Sequence, residues 1–158
     1  MPKLTDLTTG IEGRLNAVFN AGNLWTPNQA ALAKISVLVQ DAKDVENEID
    51  EAVEQIGMLC LVNMPSFQNQ EKQNTDIING RIHLIVEVGE QPVVWRDDPL
   101  TVPTAMDVAE IVARALNGFF ISGFQKLHVV SGNFQRDKKR QVFSVEVETL
   151  RLFDPISV

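Results

Sequence analysis

A single cysteine, Cys60, stands in a chain of 158 residues. An intramolecular disulfide is therefore impossible, and a small secreted scaffold held by cystines is excluded. Cys60 lies within the apolar run Met58-Leu59-Cys60-Leu61-Val62, which predicts a buried small hydrophobe rather than a reactive thiol. Histidine is almost as scarce. His83 and His128 are the two present, distant in sequence and without a cysteine pair, so no metal motif is formed and no metal is expected. No serine sits in a Gly-x-Ser-x-Gly elbow, which leaves nucleophilic catalysis without support. Neither a Gly-x-x-x-x-Gly-Lys-Ser/Thr loop nor a Gly-x-Gly-x-x-Gly turn is present, so no phosphate cradle and no nucleotide cofactor are expected. No apolar run approaches the roughly 18–20 residues that span a bilayer. The first residues, Met1-Pro2-Lys3-Leu4-Thr5-Asp6, lack a basic region followed by an apolar stretch, which predicts a protein made and kept inside a cell. Cations are also in deficit, with 14 Lys and Arg against 21 Asp and Glu and a formal net charge of −7. That balance argues against general binding to a phosphate backbone, so nucleic acid is not an expected partner.

What is there describes an ordinary folded chain. With 44% apolar and 22% charged residues, it has enough apolar side chains for one core, and its length predicts a single domain over 1–158. Leu4, Leu7, Ile11, Leu15 and Val18 recur at steps of three and four, which predicts a helix over about 5–20. Gly10 and Gly13 weaken that helix, and its start is read near either Thr5 or Thr9. Gly22, Asn23 and Thr26-Pro27 predict a turn. Residues 28–34 are ambiguous, and β-branched 35–39 reads as a strand. Asp44 as cap, Val45, Ile49, Val53 and Ile56 at helical spacing, and Gly57 as stop predict a second helix. Its outer face carries Glu46, Glu48, Asp50, Glu51 and Glu54, a stripe read as solvated.

Residues 58–64 have the density of a central strand. The polar, glutamine-rich stretch 65–79 reads as a mobile loop. In 81–88, Ile82, Leu84, Val86 and Val88 alternate with His83 and Glu87, as in a strand covered on one face. Pro92, Pro99 and Pro103 predict a shaped loop over 91–103. Thr104 with Asp107 as cap, a stripe of Val108, Val112, Ala115 and Leu116, and Asn117-Gly118 as stop predict a helix over 105–117. Two antiparallel strands, 126–134 and 141–153, close the chain, joined by a short polar connection. The predicted order is helix, strand, helix, strand, strand, helix, strand, strand. It describes an α+β fold, a single mixed, largely antiparallel sheet with about three helices packed on it.

Chemistry has few candidates within that frame. His83 and His128 meet in the sheet only if register allows, Glu87 and Glu146 are carboxylates without pair spacing, and Asp97-Asp98 beside a proline reads as a turn. These patterns predict a non-enzyme with no catalytic, metal or cofactor residues. Two features stand out as interface candidates. The first is the basic hairpin tip 136–140, where Arg136, Lys138, Lys139 and Arg140 concentrate four cations in an acidic chain. It reads either as a solubilising turn that guards the strand edges or as a finger meeting an acidic partner or nucleic acid. The second is Trp95-Arg96, residue types enriched where interfaces concentrate their energy, in a proline-bounded loop. Trp95 folded back over the core is the equal alternative, and Trp25 admits the same two readings.

The alternating strand 82–88, the proline loop with Trp95-Arg96, the helix Thr104-Ala105-Met106-Asp107-Val108-Ala109 onward, and a hairpin ending Phe143-Ser144-Val145-Glu146-Val147-Glu148-Thr149 resemble, in order and texture over about 35–153, small tail proteins of tailed bacteriophages. The tail terminator and head–tail joining group is the comparison. That resemblance implies a non-catalytic α+β structural subunit of a phage or prophage tail. It would assemble as a ring of about six copies on the tail tube, stop tube growth and offer a surface to the head connector. The expected location is then the virion tail, or the host cytoplasm during assembly. The acidic helix and the glutamine-rich loop depart from the family pattern. The alternative is a small intracellular ligand-binding domain, using a cleft between 65–79 and the Trp95 loop, or a bacterial adaptor docking through the basic hairpin.

Overall fold

The computed structural model describes residues 3–21, 29–40, 45–71, 76–96, 102–136 and 140–156. The apolar stripe of the first segment forms α1 (Leu4–Phe19), on which Leu7, Ile11 and Leu15 have no solvent exposure. Of the two starts read from sequence, the earlier holds: the Lys3 N–H donates to Asp6 Oδ2 at 2.6 Å and closes the first turn. Gly10 weakens the helix by about 1 kcal/mol but gives room to Ile121, whose Cδ1 would lie 2.9 Å from a Cβ at that position.

A single turn, α2 (Gln29–Leu32), leads into β1 (Ser36–Val39), and α3 (Val45–Gln55) then returns the chain so that β2 (Met58–Val62) runs parallel to β1. The candidate cap Asp44 and the turn residues 22–28, Trp25 among them, lie outside the described residues. Gly57 stops α3 at φ +85°, where a Cβ would fall 2.5 Å from the Trp95 backbone nitrogen. No other residue type satisfies both the left-handed backbone and that approach.

The polar stretch 65–79 is not a loop throughout. It contains β3 (Ser66–Asn69), antiparallel to residues 80–83 of β4 (Ile78–Glu90), and β4 itself begins within the stretch. All four β3 residues are exposed, so the strand has no buried face to leave a two-residue apolar period. The proline loop likewise contains a turn of helix, α4 (Pro92–Trp95), started by Pro92, whose fixed φ and missing N–H suit a first helical position. Helix α5 (Ala105–Leu116) carries the expected capping box. Thr104 Oγ1 accepts the Asp107 N–H at 3.2 Å, and Asp107 Oδ2 accepts the Thr104 N–H at 2.8 Å. Strands β5 (His128–Arg136) and β6 (Gln141–Phe153) complete the fold, with a bulge between Val129 and Ser131.

Among the described residues, six strands form one mixed sheet in the order β1-β2-β4-β6-β5, with β3 beside β4 beyond the end of β2. Only the β1–β2 pair is parallel, so the α+β fold with helices on a largely antiparallel sheet is the observed one. β4 and β6 are paired along thirteen positions and form the spine. Helices α1 and α5 cover one face, over Cys60, Ile82, Leu84, Val86, Val88, Val145 and Val147. On the other face α3 packs Ile49 and Ala52 on Leu59 and Leu61, the alternate residues of β2. β2 is thus buried on both sides. Beyond α3, that second face carries the polar residues of β4 and β6.

Candidate functional site

The outer polar positions of β4, β6 and β5 meet on the face that α3 leaves open. Cross-strand register puts His83 and His128 on opposite sides of Glu148, so the two histidines are separated by a strand rather than paired. His83 Nδ1 lies 3.2 Å from Glu148 Oε1 and 3.5 Å from Glu146 Oε1, and Arg81 bonds Glu148 at 2.9 Å. Glu146 also accepts from Ser131 Oγ at 3.1 Å, whereas Glu87 accepts from Asn63 Nδ2 at 3.2 Å. These two carboxylates serve different neighbours and form no acid–base pair. Among the described residues, no group of three His, Cys, Asp or Glu side chains could hold a metal ion, and no helix is long and apolar enough to cross a membrane. Asp97 and Asp98 lie outside the described residues.

Trp95 takes the core alternative. It is 6% exposed, and its Nε1–H donates to the Pro103 carbonyl at 2.7 Å, so its indole is occupied on both its apolar and its polar side. Arg96 does not form an open patch with it. The guanidinium reaches back to Glu90, with Nε 2.5 Å from Oε1 and Nη2 3.2 Å from Oε2. That bond holds Arg96 above its already high ordinary pKa. The Glu90 carboxylate is fully buried and also accepts the Ala105 N–H at 2.8 Å, at the start of α5. One carboxylate therefore joins the end of β4 to α4 and to α5. The sequence reading ends that strand at Val88 and passes over Glu90. Its signal was present, because a further step of two from Ile82, Leu84, Val86 and Val88 lands on the inward face.

The basic tip is described only in part. Arg136 is exposed at the end of β5, while Lys138 and Lys139 lie outside the described residues. Arg140 lies across Gly89, its Cδ 3.2 Å from where a Cβ on that glycine would stand. It therefore covers the sheet instead of extending the finger.

Among the described residues, the cleft expected between 65–79 and the Trp95 loop does not form. Ser66 of β3 is opposite His83, whereas Trp95 follows the far end of β4 past Glu90. Seven residues of strand separate them by about 23 Å. One depression, of about 290 Å³, does touch the 65–79 stretch, through Gln70, but its other walls include Arg81, Lys126, His128 and Glu148, away from Trp95; others lie beside β5. One, of about 180 Å³, is lined by Met106, Ala109, Ala113, Gly132 and Phe143, and it adjoins an open groove at Arg114, Asn117 and Val129. Along this edge β5 is exposed over nearly its whole length, with Val130 at 45%, Phe134 at 53% and neighbouring Met106 at 64%. Burial raises the Cys60 thiol well above its ordinary value, so it stays protonated and inert. The native protein is expected to resist a thiol reagent that labels the urea-unfolded chain fully; rapid native labelling would contradict the packing around β2.

No family model and no curated protein matches the chain. A chain of a solved structure, the virion of a native gene transfer agent particle, matches with TM-score 0.47 and 13% identity, over 89% of this chain and 94% of that one. A likeness of that size leaves function to be argued from the chain's own surface.

Proposed function

We propose that this chain is a non-catalytic structural subunit of a phage or prophage tail, of the tail terminator or head–tail joining kind, acting as a ring on the tail tube. The observation that carries the reading is the β5 edge. It is a nine-residue outer strand, exposed almost throughout, with apolar Phe134 and Val130 in the open and a shallow apolar depression alongside. Unpaired strand edges invite pairing with another chain, and proteins that stay monomeric blunt them with charge, proline, bulges or short length; β5 has one bulge, between Val129 and Ser131, and runs regularly from Ser131 to Arg136 beyond it. Among the described positions of β5, the only full charge is Arg136 at its end. Assembly through such an edge gives a ring subunit its work without an active site, and the tail tube and head connector are the partners this role implies.

Light scattering on the 17.6 kDa chain, over a range of concentration and salt, tests the reading. A closed oligomer of about six copies is expected. A chain that remains monomeric at high micromolar concentration and binds no purified tail-tube protein would overturn it.

A further inference from the structure

β1 and β5 end the five-strand path of the sheet, four strand spacings or about 19 Å apart, and among the described residues no strand pairs with the outer side of either; the four-residue β3, paired only with β4, is a shorter third edge. Their surroundings are opposite in charge. Beside β1, α3 exposes Glu46, Glu48, Asp50, Glu51 and Glu54 and carries no cation along its length, and Lys34, just before β1, is the exposed cation on that side among the described residues. Beside β5, among the described residues, the exposed cations are Lys126, Arg114 and Arg136, against the acids Glu110, next to Arg114, and Glu146, which accepts from Ser131 of β5. The β5 side is also the one that exposes Met106 and Phe134.

From this juxtaposition we infer that the β5 edge of one copy seats the β1–α3 edge of a second copy, so that subunits join head to tail. The inference rests on the ring reading above and says which surfaces make the ring. A two-fold contact would set α3 against α3 or the cationic edge against itself, and like charges brought together oppose association. Joining unlike edges removes that repulsion, covers the apolar strip at β5 and occupies the open sides of β1 and β5. Because the two surfaces are different and lie on opposite sides of the subunit, the contact is heterologous and repeats until the rotation closes.

Charge reversal tests it. Glu48, Glu51, Arg114 and Arg136 are all exposed, so R114E/R136E and E48K/E51K should melt like the parent. Each variant alone is expected to associate at least about a hundredfold more weakly, since reversed charges face like charges across the contact. Mixed in equal amounts, or combined in one chain, the two sets should restore the parent mass, because each reversed edge then meets a reversed partner. If the parent forms rings and each folded variant still does so unchanged, the inference fails and the ring uses other surfaces. If both variants dissociate but neither the mixture nor the fourfold variant recovers, the complementarity is wrong. A monomeric parent would overturn the ring reading itself.

Discussion

Replacing Glu90 with alanine is expected to lower the unfolding free energy by about 2–4 kcal/mol, the cost of an unsatisfied amide and a void, a large part of the roughly 5–15 kcal/mol that holds a typical domain folded. The carboxylate is fully buried and accepts three hydrogen bonds, two from Arg96 and one from the Ala105 amide. Removing it releases the exposed Arg96 guanidinium to water, leaves an amide at the start of α5 without its acceptor and opens a void at a fully buried position. Glutamine fills the same space but presents an amide nitrogen where an acceptor is needed, so E90Q should cost about 1–3 kcal/mol. Urea unfolding at neutral pH, with an unchanged slope against denaturant, measures both. A loss below about 0.5 kcal/mol for E90A, the range of ordinary surface changes, would show that this carboxylate does not join the elements as described.

Trp95→Ala is expected to be comparably severe, about 3–5 kcal/mol, and its effect separates the two roles that the residue type suggests. A tryptophan that anchors a partner can be truncated with little change in the melt of the free subunit but a large loss of assembly. This one is 6% exposed, touches the backbone region of Gly57 and donates to the Pro103 carbonyl. Truncation removes buried aromatic area and leaves that carbonyl without its donor. Trp95→Phe keeps most of the area and loses the donor, which places its cost nearer 1–3 kcal/mol. Thermal or urea unfolding of the subunit reads the difference directly. A Trp95→Ala chain with the parent's stability and a specific assembly defect would return Trp95 to the interface.

Much of the fold was legible in the chain because side-chain period reports burial directly. Leu7, Ile11 and Leu15 at helical spacing, the two-residue alternation from Ile82 to Val88, and the Thr104–Asp107 cap each describe a local segment that buries one face, and each is found as read. The single Cys60, the four cations of the tip and the acidic stripe of α3 are likewise composition, visible without a fold. What tertiary structure alone decided depends on which backbones meet. Ser66–Asn69 is a strand because residues 80–83 offer it partners, although none of its side chains is buried. His83 and His128 flank Glu148 because register aligns them, and a shift of one residue would turn one of them to the opposite face. Trp95 is core because Gly57 lets the chain approach it, and Glu90 is buried because Arg96 and Ala105 are there to satisfy its charge. Period along a chain says that a face is covered; the identity of the cover, and whether a polar group beneath it finds its partners, is set only when distant segments are brought together.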